Sequence, residues 1–397
     1  MQNINLIPRF NWDYGLSDLY KSVAFILSSN SAYAQKQVFE TIFGSIPIFT
    51  NSGRTSLYTI LKCLNLPEGS FVGVPLFCCP VVFDAIKNAG LVPKFIDINL
   101  DDYNIAISDL TIKKNALSAV VVVHMFGNPA DMDPISALCN DLPIIEDCAQ
   151  SLFSKYKGKL TGCFGTASFF SFRSGKYISA GEGSIIFSSD ALLLESSKRL
   201  VETFDAYSPY NEISHCIATY IKSTLYHKPW YGIIGYPIGR RLDKKFNLSA
   251  KTGFDLKKIS KCDLRIICER LKTFSEKVET QRTNALFLLD KIKNEYIALP
   301  LEINNCRNNY YQFTIRFNKE EHRNLAAQYL YENGIDCAQY LNEVVDIAKE
   351  NFGYGGDCPN AEFASKTVLS IPHYYTLMPN EIEHIAKVLN ELNYYLH

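Results

Sequence analysis

The sequence predicts an α/β fold: a large domain on a mostly parallel sheet, then a smaller C-terminal α+β domain. Three observations predict it. Between residues 56 and 188, short apolar runs alternate with stretches whose apolar residues recur at helical spacing, the pattern of strands joined by crossover helices. The run "AVVVVH" within 116–127 is continuously apolar and β-branched, as in a strand covered on both faces. Past residue 300 the pattern changes to a strand-like run, a helix and a closing helix.

Taken in order, "SLYTILKCLNLP" (56–67) has helical spacing and stops near a proline. "SFVGVPLF" (70–77) reads as a short buried strand, "PVVFDAIKNAG" (80–90) as a helix ended by Gly90, and "LVPKFIDI" (91–98) as a strand. The β-branched strand of 116–127 comes next, then a helix over 131–141 that starts at an Asp. "LPIIED" (142–147), "TASFFSF" (166–172) and "GSIIFS" (183–188) are further strands. The amphipathic stretch 256–293 reads as one long helix that bridges to the second domain. That domain holds a strand at 310–317, a helix at 320–333 and a last helix from Pro379. The predicted division is therefore 1–255, with an aromatic-rich insertion at 205–250, and 256–397, with the linking helix and the small domain. No internal repeat or low-complexity tract interrupts it.

Composition narrows the function classes. The 397 residues are 47% hydrophobic and 20% charged, an ordinary globular balance with length enough for a large core. A net charge of -1 gives no basic footprint for a nucleic acid. The 12 cysteines include no C-x-x-C pair and no Cys/His spacing of a zinc site. The start "MQNINLIPRFNWDYG" has no basic segment followed by an apolar one, so no signal peptide is expected, and free thiols in a reducing cytosol are. The adjacent Cys78 and Cys79 read as structural thiols, with a redox pair as the alternative. No stretch reaches the roughly 18 apolar residues of a membrane span. The nearest, 216–241, is interrupted by Lys222, His227, Lys228 and prolines; it reads as a packed insertion or subunit interface, or as a membrane-surface segment.

In open α/β sheets, ligands bind beyond the carboxyl ends of the strands. "LPIIED" delivers Glu146 and Asp147 there, "VVVVH" delivers His124, and "SFFSF" delivers Ser171 and then Lys176. "NSGRTS" (51–56) is a polar turn opening a helix, whose free N–H groups and dipole suit an anion. A strand-end carboxylate is a fit partner for a protonated ring nitrogen, and a lysine nearby can form a Schiff base. Phosphate cradle, acidic ring partner and lysine together describe pyridoxal phosphate. Each alone has a plainer reading: a helix cap, a strand terminator, a solvated lysine.

On these residues the chain resembles the DegT/DnrJ/EryC1 family of sugar aminotransferases, pyridoxal-phosphate enzymes of fold type I. The matching runs include "SGRTSLYTIL" (52–61), "VVVHMFGNPADMDPI" (121–135), "IIEDCAQS" (144–151), "YKGKLTGCFGTASFFSFRSGKYISAGEGSIIF" (156–187) and "LSIPHYYTLMPNEIEHIAKVL" (369–389). The resemblance implies a seven-stranded sheet in the large domain. It implies that Lys176 is the Schiff-base lysine and later the proton shuttle, and that Asp147 pairs with the pyridinium nitrogen. It further implies that Gln150 bonds near the phenolic oxygen, that Ala149 packs on one ring face, and that Ser171 with the backbone at Gly53 and Arg54 binds the phosphate. An ionised Asp147 favours the charged pyridine, and a lysine whose pKa its site lowers is a usable base.

The chain departs from the family in several places. Arg54 stands where Thr is usual, so it reads as an extra cation for phosphate or substrate. Cys79 stands where an aromatic usually covers the ring, with Phe77 two residues before it as a substitute. His124 lies near the ring or serves structural bonds. The asparagine that the family reaches across the dimer has no clear counterpart; Asn247, within "FNLSAKTGFD" (246–255), is the candidate. Arg240 and Arg241 meet a nucleotide diphosphate or form a solvated turn. The activity implied is transfer of an amino group, with glutamate as donor, to a keto deoxysugar, nucleotide-linked. The expected setting is a cytoplasmic homodimer making surface polysaccharide such as O-antigen. A sugar dehydratase of the same scaffold has histidine in place of the lysine, and a non-catalytic sensor or scaffold would not need Lys176, Asp147, Gln150 and Ser171 together. A dinucleotide-binding dehydrogenase is excluded because no G-x-G-x-x-G follows the first strand.

Overall fold

The computed structural model describes residues 4–28, 36–243, 255–303 and 305–395. Its strands are β1 (Ile48–Thr50), β2 (Phe71–Pro75), β3 (Val92–Ile96), β4 (Ala119–Val123), β5 (Ile144–Asp147), β6 (Lys155–Tyr156), β7 (Lys159–Leu160), β8 (Ala167–Ser171), β9 (Ser184–Ser188), β10 (Cys306–Arg307), β11 (Phe313–Arg316) and β12 (Val368–Ile371). Seven form one sheet in the order β1-β9-β8-β5-β4-β2-β3. β3, β2, β4, β5 and β8 run parallel, while β9 runs antiparallel to both β8 and β1. The mostly parallel sheet predicted from the apolar runs is therefore present. β4 sits inside it with all five residues buried, which is why its sequence shows no polar alternation.

Register places the strand ends. Val123 lies opposite Asp147, and Asp147 opposite Phe169, so the segments leaving β4, β5 and β8 emerge at one edge. The helix Gly53–Cys63 begins beside them. Its Ser52 hydroxyl accepts the Thr55 N–H at 3.2 Å, a cap that fixes where the helix starts.

One apolar cluster covers one face of the sheet, and two share the other, one of them around Ile96, Val120, Val122 and Ile144 with Met132 and Ile135. The first joins Leu57, Val74, Phe83 and Val121 to Val344, Ala348 and Ala361 of the C-terminal region. The third joins Phe170 and Ile185 to Leu264, Ile267 and Phe274. A separate cluster gathers Leu288, Phe313, Leu330, Leu369 and Leu389 around the antiparallel pair β11–β12.

The long helix read over 256–293 is two helices, Lys261–Leu271 and Phe274–Lys291. Thr273 leaves helical backbone (φ -122, ψ 3), and the turn seats Phe274, 1% exposed, in the core against Phe153 and Tyr177. The 205–250 insertion contributes the helix Pro209–Leu225, with Pro209 in its first turn and the Ser208 hydroxyl as cap. Arg240 and Arg241 fall in the helix Tyr236–Asp243, their side chains outside the described set, and Asn247 lies outside the described residues. Among the described residues no helix is long and apolar enough to cross a membrane.

Candidate active site

Asp147 ends β5 with its carboxylate turned into the sheet edge, 7% exposed. The Ala149 N–H donates to its Oδ1 at 2.9 Å. Burial pushes its pKa up, and the Ala149 amide, Lys176 and His124 work against that. Lys176 faces it from the turn after β8. Burial pulls the ammonium down to about 8; Asp147 holds it up, and nearby Arg173 lowers it further. Its Nζ lies 4.9 Å from the centre of the Tyr311 ring.

Neighbouring residues on β5 point to opposite faces, and this separates Glu146 from Asp147. The Glu146 carboxylate accepts the N–H groups of Gly162, Phe164 and Gly165 at 2.6–2.7 Å. The fully buried His124 completes the set. The Ala130 N–H donates to Nδ1 at 3.0 Å, so Nε2 carries the proton and donates to Glu146 at 3.0 Å. Burial alone would raise Glu146, but His124 and the amides of Gly165 and Gly162 hold it below its ordinary value. Of the two readings of His124, the structural one holds: both nitrogens are committed to the fold.

The helix start and the end of β8 meet. A Cβ built on Gly53 would lie 3.4 Å from the Phe169 ring and 3.4 Å from the Ser171 Cβ. Glycine thus brings the helix's first amides, at Gly53 and Arg54, against the Ser171 side chain, and such amides point beyond the helix end. Arg54 also reaches toward Asp84, whose carboxyl burial raises and Arg54 partly restores.

Gln150 is fixed at both ends of its amide. Oε1 accepts the Phe126 N–H at 3.0 Å, and Nε2 donates to the Tyr340 hydroxyl at 3.4 Å. Ala149, beside it, is half-buried against the apolar cluster of the sheet. Cys79 is half-buried within electrostatic reach of Lys176, Tyr311 and Tyr340. Phe77 is fully buried against Tyr103 and Phe126, part of the core.

Sequence reasoning missed four residues here. Tyr311 and Tyr340 come from the C-terminal half and close over Lys176 and Gln150. Asn309 ties that half down, its Nδ2 donating to the carbonyls of Gln150 and Leu152 at 3.1 and 2.8 Å. Arg173 stands in the run "SFRSGK" beside the lysine, with no role assigned by its spacing. The run "NNYYQF" (308–313) carries a signal that could have found Asn309 and Tyr311, an aromatic doublet before a strand.

The profile of the DegT/DnrJ/EryC1/StrS aminotransferase family matches residues 35–390. The chain belongs to this family. It is 36% identical over 177 residues to GDP-perosamine synthase of Escherichia coli O157:H7, a match covering 43% of this chain and 48% of that protein. It therefore spans about half the length of that curated relative. It is 25% identical over 381 residues to UDP-N-acetyl-3-dehydro-alpha-D-glucosamine 3-aminotransferase of Acidithiobacillus ferrooxidans, covering 94% and 92%. Its fold is similar to the crystal structure of the aminotransferase TlmJ from Streptoalloteichus hindustanus, with a TM-score of 0.78, 20% identity and coverage of 98% and 100%.

Pyridoxal 5'-phosphate is the cofactor of this aminotransferase family, and the residues present fit it. The Gly53–Ser171 contact leaves helix amides and a hydroxyl for a phosphate, and a buried carboxylate faces a lysine of lowered pKa. Among the described residues, two side-chain groups combine metal-type ligands within 4.8 Å, His124–Glu146–Cys148 and His215–Cys262–Asp263. In each the imidazole is engaged in hydrogen bonds to a carboxylate.

Proposed function

We propose that this chain transfers an amino group from an amino-acid donor, glutamate, to a keto deoxysugar carried on a nucleotide. The observation that carries the reading is the opposition of Lys176 and Asp147 at the sheet edge. When bound, pyridoxal phosphate supplies the electron sink that makes a C–H bond next to an amine acidic. Lys176 is the residue that would hold the cofactor, and its neutral Nζ would take a proton from the substrate carbon and return it. An amine of pKa about 8 has enough neutral form near pH 7 for that task. Asp147, whose carboxylate form the Ala149 N–H and Lys176 favour against its burial, would balance a charged ring nitrogen. Ser171 and the amides of Gly53 and Arg54 bind the phosphate, Gln150 orients the ring, and Ala149 packs on its face.

The sugar part of the reading is supported by the relatives' names, a GDP-perosamine synthase and an aminotransferase of a UDP-linked sugar. A dehydratase outcome is disfavoured by Lys176 itself, since histidine takes that place in those enzymes. The same reading includes a cytoplasmic homodimer serving surface polysaccharide or O-antigen synthesis. It also includes a functional division into 1–255 for the cofactor and 256–397 for the cover of the site. The test is incubation with glutamate and a panel of nucleotide-linked 3-keto and 4-keto sugars, followed by mass spectrometry. One ketone exchanged for an amine is the expected result; no exchange with any sugar in the panel, with glutamate consumed by other acceptors, would contradict it.

A further inference from the structure

Arg173 is a charged residue at this site that the roles above leave unused. It lies two residues after Ser171 and three before Lys176, in a turn closed by the Lys176 N–H on the Arg173 carbonyl at 2.9 Å. Its backbone pairs with Gly181. Phe172 next to it is 1% exposed, so the chain alternates and Arg173 faces outward, exposed. The same turn therefore carries a half-buried lysine and, three residues before it, an exposed guanidinium. Among the described residues that guanidinium makes no ion pair or hydrogen bond. Arg173 is within electrostatic reach of Lys176, Tyr311 and Tyr340 alike.

The two tyrosines differ in what they offer. The Tyr311 hydroxyl donates to the Gly175 carbonyl at 2.7 Å, so its proton is used. The Tyr340 hydroxyl receives the Gln150 amide at 3.4 Å, and among the described residues its own proton goes to no acceptor. Burial keeps that phenol protonated. Tyr340 is braced against the Phe126 ring, centroids 5.3 Å apart. A fork of five N–H donors and a fixed O–H donor at one site suit a planar anion.

We propose that Arg173 and the Tyr340 hydroxyl form the anion clamp of the site, and that the anion is the α-carboxylate of the amino donor. The inference rests on the aminotransferase reading. In an amino acid the carboxylate is one bond from the carbon whose proton Lys176 removes, so a cation beside Lys176 meets it at once. The diphosphate of a nucleotide-linked 3- or 4-keto sugar lies across the sugar ring from the reacting carbon, farther from this turn.

The experiment uses R173Q, R173K and Y340F with two readouts. In the cofactor-loaded proteins, glutamate is titrated against the visible band of the lysine-bound cofactor. In the cofactor-free proteins, calorimetry measures binding of 2-oxoglutarate and, separately, of GDP and UDP. The proposal expects half-saturation by glutamate and the 2-oxoglutarate dissociation constant to rise about tenfold in R173Q, less in R173K, which keeps charge without the fork. Y340F should show a smaller rise. GDP and UDP binding and the cofactor band should stay as in the wild type. Unchanged glutamate and 2-oxoglutarate binding in R173Q would overturn it, as would a loss confined to the diphosphates, which would assign the clamp to the sugar nucleotide. A wild-type band that no amino acid bleaches would instead remove the aminotransferase reading, and the clamp with it.

Discussion

Replacing Asp147 by Asn tests the electrostatics of the site without the cofactor. Burial lowers Lys176 from its ordinary 10.5 to about 8, and the Asp147 carboxylate keeps it from falling further. At a pKa of about 8, roughly one lysine in ten is neutral at pH 7, against fewer than about one in a thousand for an unperturbed one. Asn keeps the shape and removes the charge. An opposite charge at close range shifts a pKa by ~1–3 units, so the midpoint should drop to about 7 or below, and about half or more of Lys176 should be neutral at pH 7. Competitive acetylation of the cofactor-free protein with acetic anhydride, read by mass spectrometry against the exposed Lys198, gives the midpoint directly. A wild-type midpoint near the ordinary 10.5, or a midpoint that rises in D147N, would show that burial and Asp147 do not set the charge of Lys176.

Three further outcomes concern other parts of the structure. S171A should weaken cofactor binding about tenfold, the scale of one hydrogen bond to a charged group, measured by titrating the visible band; unchanged affinity would take Ser171 out of the phosphate site. Gly127 sits at φ +92, and a Cβ there would overlap the Asn309 Oδ1 and stand 3.0 Å from the Tyr311 N. G127A should therefore lower stability by about 3 kcal/mol or more, seen as a fall in Tm, and a change near zero would contradict that packing. For His215, burial alone would lower the imidazole, but Asp263 at 3.0 Å raises it to about 9. A group raised on folding stabilises fully below its unfolded pKa of about 6.5 and loses that as pH rises through the folded one. The shift corresponds to about 3 kcal/mol at most, part of it offset by Asp263, itself pushed up to about 6 by burial. Urea unfolding should show stability falling between pH 6.5 and 9 in the wild type and a flatter profile in H215A.

Legibility in the sequence tracks the strength of each local signal. β4 and β5 are legible because a strand buried on both faces must be apolar nearly throughout, and the run Ala119–Val123 lacks polar alternation for that reason. Three-residue β1 carries too few residues to show a pattern, and the hairpin β6–β7 has two per strand. The helices Val344–Phe352 and Pro359–Thr367 escaped notice because they pack on the large sheet's core, far from their neighbours in sequence. The break at Thr273 is hidden because amphipathic spacing continues through it. Asp147, Ser171 and Lys176 lie at or close behind the ends of apolar strands and are legible from that order, whereas Gln150 comes from the family resemblance. Tyr311 and Tyr340 reach Lys176 and Gln150 only through the tertiary fold, and no spacing announces that. Phe77 shows the converse: an aromatic near the right place is in the core instead.

The most direct test of the central claim is a visible spectrum of the purified protein with pyridoxal phosphate, then with glutamate, beside K176A. The account predicts a yellow band in the wild type that glutamate bleaches, and no such band in K176A. A band of equal strength in K176A, or no band in the wild type at saturating cofactor, would contradict it.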